Sequence, residues 1–383
     1  MQTLQIHPVK TQEDLRAFVL FPWKVYAGDP HWVPPLLSAR SALLDKAKNP
    51  FFKHGGADFF LAKRGTEVVG TIAGITNPLH NSFHNDKVGF FGFFEVLDDP
   101  QAAEALLGAA ENWGRSYGHD VLRGPMQYSV NDECGLLVDG FDDPPRILMT
   151  YNPPRYMEYL TKRGFQQAMD LWAHSMEIEK FRGGEKLPEK LVRVVEKIKA
   201  RRNLRVRKMD MRHFEDEVGR VKKLYNSSWE RNWGFVPLTD AEIDKLAKDL
   251  RPIIDPDLVF FVEIDGEPVG FSVTLPDLNE PMLHANPKPG TPEWLTLIKF
   301  LWNWKVGKRI RWLRVFTLGV RPEFRGLGVE ALLCYETAQE ALKKGYPNVE
   351  MSWVLAVNDA MNRVIRLMGG KVYKTYRIYD KAL

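Results

Sequence analysis

The chain has 383 residues, of which 44% are hydrophobic and 27% charged, with a formal net charge of +4. That length suggests two or three domains, the composition is that of a water-soluble globular chain, and the charge is too small to demand a nucleic-acid or membrane partner. The opening residues MQTLQIHPVKTQEDL lack the basic-then-apolar pattern of a signal peptide, and no apolar run is long enough to span a bilayer. Cys134 and Cys334 lie far apart and the histidines are scattered without ligand spacing, so no metal is expected and a reducing cytoplasm is the natural compartment.

Read from the front, residues 4–7 alternate as a short strand, and Thr11-Gln12-Glu13-Asp14 starts a helix with an acidic first turn. Residues 29–35 form a proline-set loop. Residues 58–65 and 68–75 read as a β-hairpin, and residues 88–96 (VGFFGFFEV) as a very apolar strand. Pro100 then opens a helix that Gly118 stops.

The second half repeats this order. Residues 204–209 match the first strand, 214–225 the first helix, and 259–266 with 268–273 the hairpin. FFLAKRG-x-x-VVG and FFVEIDG-x-x-VG share one plan. The expected organisation is therefore a degenerate first copy at 1–180, a linker helix at 181–202 and a second copy at 203–383. Within the linker, Leu191, Val192, Val194, Val195 and Ile198 leave one apolar stripe. The other face is basic, with Lys190, Arg193, Lys197, Lys199, Arg201 and Arg202. A solvated helix packed by its stripe is favoured over a nucleic-acid face, because no aromatic residues interleave with the charges.

Residues 313–345 (LRVFTLGVRPEFRGLGVEALLCYETAQEALKKG) organise the second copy. Val315, Phe316, Thr317 and Val320 suit a strand, Pro322 ends its pairing, and a helix runs from Val329 to Gly345. Strand, glycine turn and helix N-terminus together make an anion site, with free N–H groups pointing outward and glycines admitting close approach.

This segment resembles motif A of the GCN5-related N-acetyltransferases (GNAT), Arg/Gln-x-x-Gly-x-Gly/Ala after a strand ending Val-x-Pro. Val320, Pro322, Arg325 and Gly328 match; Glu330 stands where the family usually has Gly or Ala. Residues 349–355, Asn358, a helix to Met368, Gly369-Gly370 and a last strand at 372–379 resemble the family's C-terminal order. The helix tyrosine that often serves the family as general acid falls on Ile365. The resemblance implies an α/β (α+β) tandem fold of two mixed, mostly antiparallel sheets flanked by helices. It also implies direct transfer of an acyl group from acetyl-CoA, or another acyl-CoA, to a small-molecule or peptide amine in a ternary complex.

Under that resemblance, N–H groups at Leu318, Gly319 and Val320 polarise the thioester. Arg325, Gly326, Leu327, Gly328, Val329 and Glu330 hold the pyrophosphate, with Asn358 and Trp353 flanking the coenzyme. The acceptor is expected near Trp229, Trp233 and Phe235 and beside Asp277 and Asn279. An ammonium must lose a proton before it attacks, and Glu230, Asp277 and Glu350 are the candidate bases in that order. Tyr373 or Asn362 would replace the missing acid. The first copy carries Leu97-Asp98-Asp99-Pro100 at its would-be pyrophosphate turn, so it should not hold coenzyme A. A decayed pair that binds acyl-CoA or peptide without turnover is the alternative; an aminoacyl-tRNA-dependent transferase is disfavoured by the glycine turn.

Overall fold

The computed structural model describes residues 3–184, 187–201, 203–229 and 232–383. The strands are β1 (Leu4–Pro8), β2 (Gly56–Arg64), β3 (Glu67–Thr76), β4 (Val88–Val96), β5 (Val121–Gly124), β6 (Leu136–Asp139) and β7 (Gln166–Glu177). They continue with β8 (Leu204–Lys208), β9 (Val259–Ile264), β10 (Glu267–Pro276), β11 (Trp312–Val320), β12 (Asn348–Leu355) and β13 (Lys371–Ala382). The chain forms two compact units. The first takes Met1–Asp170, Pro281–Lys308 and Tyr376–Leu383; the second takes Leu171–Glu280 and Arg309–Thr375.

In the first unit β1, β2, β3 and β4 pair antiparallel in sequence order, β4 pairs β5 in parallel, and Tyr379–Ala382 of β13 runs antiparallel to β5. In the second, β8, β9, β10 and β11 pair antiparallel, β11 pairs β12 in parallel, and β7 runs antiparallel to β12. The plan is the same, and the sixth strand is where chain and space part. The sequence repeat divides the chain near residues 181–202, whereas residues 171–177 of β7 join the second unit and the end of β13 joins the first.

The repeat persists at single residues. Gly70 lies opposite Val96, and Gly270 opposite Val320. A Cβ on Gly70 would meet Leu106 at 2.5 Å, and one on Gly270 would meet Val329 at 2.9 Å. Each glycine thus lets the following helix, Pro100–Ser116 or Val329–Lys344, lie close on its sheet.

The first core packs Phe91 and Phe94 against Ala103, Leu106, Tyr156 and Phe165. Phe93 turns the other way, toward Phe18, Phe59 and Tyr128. Both faces of the VGFFGFFEV strand are therefore buried inside its own unit. The second core gathers Val315, Val320, Leu332, Leu333, Met351 and Ile365, and the helix Glu189–Lys199 adds Leu191, Val195 and Ile198. Its Lys190, Arg193, Lys197 and Lys199 are exposed, as the apolar stripe requires.

Candidate functional site

In the second unit, β11 and β12 pair only from Trp312 to Val315 and from Asn348 to Met351. On its other edge β11 changes register: Val273 faces Thr317 while Thr274 faces Val315, so Phe316 is an extra residue. The strands pair, bulge and part, which leaves residues 316–320 without β12 as a ladder partner. Leu318 is half-buried; Gly319 and Val320 are buried. A Cβ on Gly319 would lie within 3 Å of Trp229, Phe271 and Ser228, so this glycine admits the end of helix Phe214–Trp229 onto the strand. Trp229 meets Phe271 edge-on at 5.9 Å and Tyr225 at 4.5 Å.

After β11 the chain makes one turn of 3-10 helix at Pro322–Phe324 and enters helix Val329–Lys344 through Gly326 and Gly328, with φ of 69° and 95°. A side chain at Gly326 would find open space; one at Gly328 would meet Val194 Cγ1 at 2.9 Å. Gly328 therefore serves packing against the Glu189–Lys199 helix as well as the turn, whereas Gly326 serves backbone conformation alone. No side chain caps the helix at its N-cap position. Arg325 donates Nε to the Val320 carbonyl at 3.3 Å and Nη2 to the Ser228 carbonyl, tying the turn to β11 and Trp229's helix. Leu327 is exposed and Val329 is buried in the core. Glu330 lies in the first turn of the helix and is half-buried, and burial raises its pKa above the usual carboxylate value. The turn thus places an acid of its own beside the free N–H groups that an anion would use.

Where β11 and β12 part, four polar side chains meet. Arg314 and Glu350 are register partners and both are buried. Arg314 Nε lies 3.8 Å from Glu350 Oε1 and donates to Ser352 Oγ at 3.0 Å; Nη2 reaches the Ser352 carbonyl at 3.3 Å. Ser352 Oγ donates to Glu350 Oε1 at 2.5 Å, and the Tyr373 hydroxyl donates to Oε2. These donors satisfy a carboxylate that has no water contact. Tyr373 is half-buried and stacks on Trp312 at 6.1 Å, while the Arg314 guanidinium sits 5.5 Å from the Trp353 ring. The sequence offers Tyr373 and Glu350 as separate candidates, without Arg314 and Ser352. An arginine inside the apolar run LRVF, with a glutamate in VEMSW of the next strand, was the available signal.

Three of the other expected residues, Asn358, Asn362 and Asp277, bond to nearby backbone. Asn358 caps helix Asp359–Leu367, its Oδ1 accepting Met361 N at 3.2 Å. Asn362 Nδ2 ties the Leu355 and Ala356 carbonyls, and its Oδ1 is buried. Ile365, at the tyrosine position, is fully buried in the core. Asp277 is buried at the end of β10, its N–H on the Trp312 carbonyl and its Oδ1 accepting Asn279 N at 3.1 Å. Trp233 is half-buried and Phe235 buried, in the turn after Trp229. Glu230 lies outside the described residues. Cys334 is buried, which pushes its thiol up to about 12 and leaves it no nucleophile near neutral pH. Among the described residues, no group of three or more His, Cys, Asp or Glu could hold a metal ion.

The first unit has the same split, with β4 and β5 paired only over Val88–Phe90 and Val121–Arg123. There the Val96 N–H, the register counterpart of Val320, donates to the Tyr156 hydroxyl at 2.7 Å. Tyr156 in turn lies 3.0 Å from Glu95 Oε2 and from the Val96 carbonyl. The following turn is closed too. Asp99 caps its helix through Ala102 N at 3.0 Å and pairs with Arg64 at 2.7 Å, while Tyr159 donates to Asp98 at 3.1 Å.

A family model described as acetyltransferase (GNAT) family matches residues 219–369. A protein of Caulobacter vibrioides named bacterial ceramide synthase is 37% identical over 392 aligned residues, covering 99% of this chain and 98% of its own. Protein YghO of Escherichia coli is 34% identical over 376, covering 97% and 94%. Among solved structures, a tandem GNAT protein from the clavulanic acid biosynthesis pathway aligns with a TM-score of 0.56 over 99% of this chain and 98% of that one, at 12% identity. At that identity the likeness is one of fold.

Proposed function

Because the chain belongs to the GNAT family of acyltransferases, we propose that it joins a long acyl chain, carried on coenzyme A, to the amine of a long-chain base. The observation that supports this acceptor is the end-to-end identity of 37% to a protein named bacterial ceramide synthase. A ceramide is the amide of a fatty acid and a sphingoid base, so the bond made is amide C–N and the bond broken is thioester C–S.

In this reading the acyl carbonyl lies along residues 318–320, where β11 has lost β12 as a partner and backbone N–H groups can stabilise the tetrahedral oxyanion. The N–H groups of residues 326–330 hold the pyrophosphate, with Arg325 fixing the turn. The acceptor passes Trp229, Trp233 and the Asp277–Asn279 loop. Tyr373 gives its hydroxyl proton to the departing thiolate, and the phenolate so formed takes the proton that the attacking amine releases, while Glu350, held by Arg314 and Ser352, positions that hydroxyl.

The test is incubation with sphinganine and either palmitoyl-CoA or acetyl-CoA, with the amide read by mass spectrometry and free thiol by titration. Amide from palmitoyl-CoA, and its loss in Tyr373→Phe, is the expected result. Turnover with acetyl-CoA alone, or an undiminished Tyr373→Phe enzyme, rules out the acyl length or the proton route.

A further inference from the structure

The helix Glu293–Leu301 and the π-turn Trp302–Val306 that continues it carry an apolar face that nothing in the first unit covers. Thr296 and Phe300 point inward and are buried. The helix is anchored by Glu293, which accepts the Ser38 N–H at 3.0 Å, and the loop before it by Trp23 Nε1 on the Pro287 carbonyl at 2.8 Å. The opposite arc is Trp294, Leu297, Ile298, Leu301 and Trp302. Trp294, Ile298 and Trp302 are 61%, 57% and 63% exposed, far more than a chain in water leaves open on one helix face without use.

From this face we infer that the segment docks the protein on an anionic lipid surface, lying in the interface. Tryptophans concentrate where apolar chains meet polar headgroups, and a short helix with an apolar face and basic flanks lies flat there. Lys288, Lys299, Lys305 and Lys308, within the segment or just before and after it, are all exposed. The one acid between residues 281 and 308, Glu293, is held by Ser38, so the segment presents positive charge to whatever covers it. That charge complements anionic headgroups. It disfavours a second copy, because a self-complementary contact would bring lysine against lysine. Among the described residues no helix is long and apolar enough to cross a membrane, which fits docking without insertion. The inference stands on this helix and does not rest on the acyl-transfer reading, although a long-chain acceptor would be met at such an interface.

The experiment is co-sedimentation of the full chain with vesicles of phosphatidylcholine and of an equal mixture of phosphatidylcholine and phosphatidylglycerol. Thermal melting and solution mass are measured on the same samples. Binding to the mixed vesicles is expected to weaken as salt is added, and to fall roughly tenfold or more in the double variant Ile298→Glu, Trp302→Glu. Both positions are exposed, so the variant should melt with the parent; Lys299→Glu with Lys305→Glu, which spares the apolar face, should also lose binding. The inference is overturned if the parent stays in solution with the mixed vesicles or if the folded double variant binds as well. It is equally overturned if the parent is an oligomer that the double variant dissolves while vesicles are ignored.

Discussion

The two strand-to-helix turns of this molecule start from one scaffold and end differently. After β4, the helix N-terminus is capped by Asp99, the carboxylates are engaged by Arg64 and Tyr159, and Tyr156 holds the N–H of Val96. After β11, a glycine stands at the cap position, no side chain caps the helix there, and Glu330 sits half-buried in the first turn. An anion site is thus not a property of the fold. It depends on whether the chain has already satisfied the helix N-terminus with its own side chains.

The most severe way to break the comparison is to separate the halves. A fragment of residues 203–383 keeps the whole glycine turn but lacks β7 and the helix Glu189–Lys199. It therefore loses Met176, Ile178, Leu191, Val195 and Ile198 from the second core and opens the edge of β12. It is expected not to fold, read as loss of a cooperative melt and as aggregation on size exclusion. A stable monomeric fragment would show that the crosswise strand is dispensable.

Next come the two glycines of the turn. Both need positive φ, but only Gly328 faces a neighbour. Gly326→Ala should cost about 1–2 kcal/mol for the left-handed backbone. Gly328→Ala should cost that and about 1–3 kcal/mol more for overlap with Val194. Denaturant titrations of both variants and of Val194→Ala with Gly328→Ala measure the difference; equal costs would mean the helix gives way freely.

In the first unit, Glu95 is pushed up to about 7 by burial, against the nearby Arg40 charge and the hydroxyls of Tyr26 and Tyr156. Its folded pKa lies above the ordinary 4.5, so folding favours the proton: this contribution is full below about pH 4.5 and is lost as pH rises toward 7. Its ceiling is about 3 kcal/mol. His80 and His174, depressed by burial to about 3 and about 4, act in the opposite sense, so the readout is the difference from Glu95→Gln. Between pH 5 and pH 7.5 the parent should lose Tm relative to that variant, and parallel curves would place the proton elsewhere.

Tyr156→Phe tests the plug itself. It strands the Val96 N–H and should cost about 1–3 kcal/mol by denaturant melt. Coenzyme A should still bind once per chain by calorimetry, because Asp98, Asp99 and Pro100 remain. A stoichiometry approaching two would show that Tyr156 alone had closed the first unit.

The repeated order, the hairpins and the glycine turn were legible because each is local: alternation along VGFFGFFEV, Gly-x-x-Val-Val-Gly spacing, and a glycine pair before a helix. The exchange of β7 and β13 was not, since every strand keeps its pattern whichever sheet it joins. Nor was the Tyr156 plug, a hydroxyl meeting a backbone N–H 60 residues earlier. Arg314, Ser352, Glu350 and Tyr373 come together only when the register of β11 with β12 is known. Asn358, expected to flank the coenzyme, caps its helix through Oδ1.

The smallest expected effect sharpens the comparison most. Glu330 is half-buried in the first turn of helix Val329–Lys344, and burial holds its pKa above the usual value. A pyrophosphate arriving at the helix start must stand beside the Glu330 charge. Glu330→Ala should therefore bind coenzyme A more tightly by about 1 kcal/mol, roughly fivefold, at low ionic strength, and the gain should shrink as salt is added. The pH dependence has a definite sign: as pH falls through the raised pKa the carboxylate gains a proton and its repulsion fades, so parent and variant should converge toward acid. The coenzyme's own phosphate titrates equally in both proteins and cancels in the ratio. Calorimetry at two pH values decides it. If Glu330→Ala binds no better, or loosens, the carboxylate swings clear when the ligand arrives and acts only at the helix start, where an acid is worth about 0.3–1 kcal/mol.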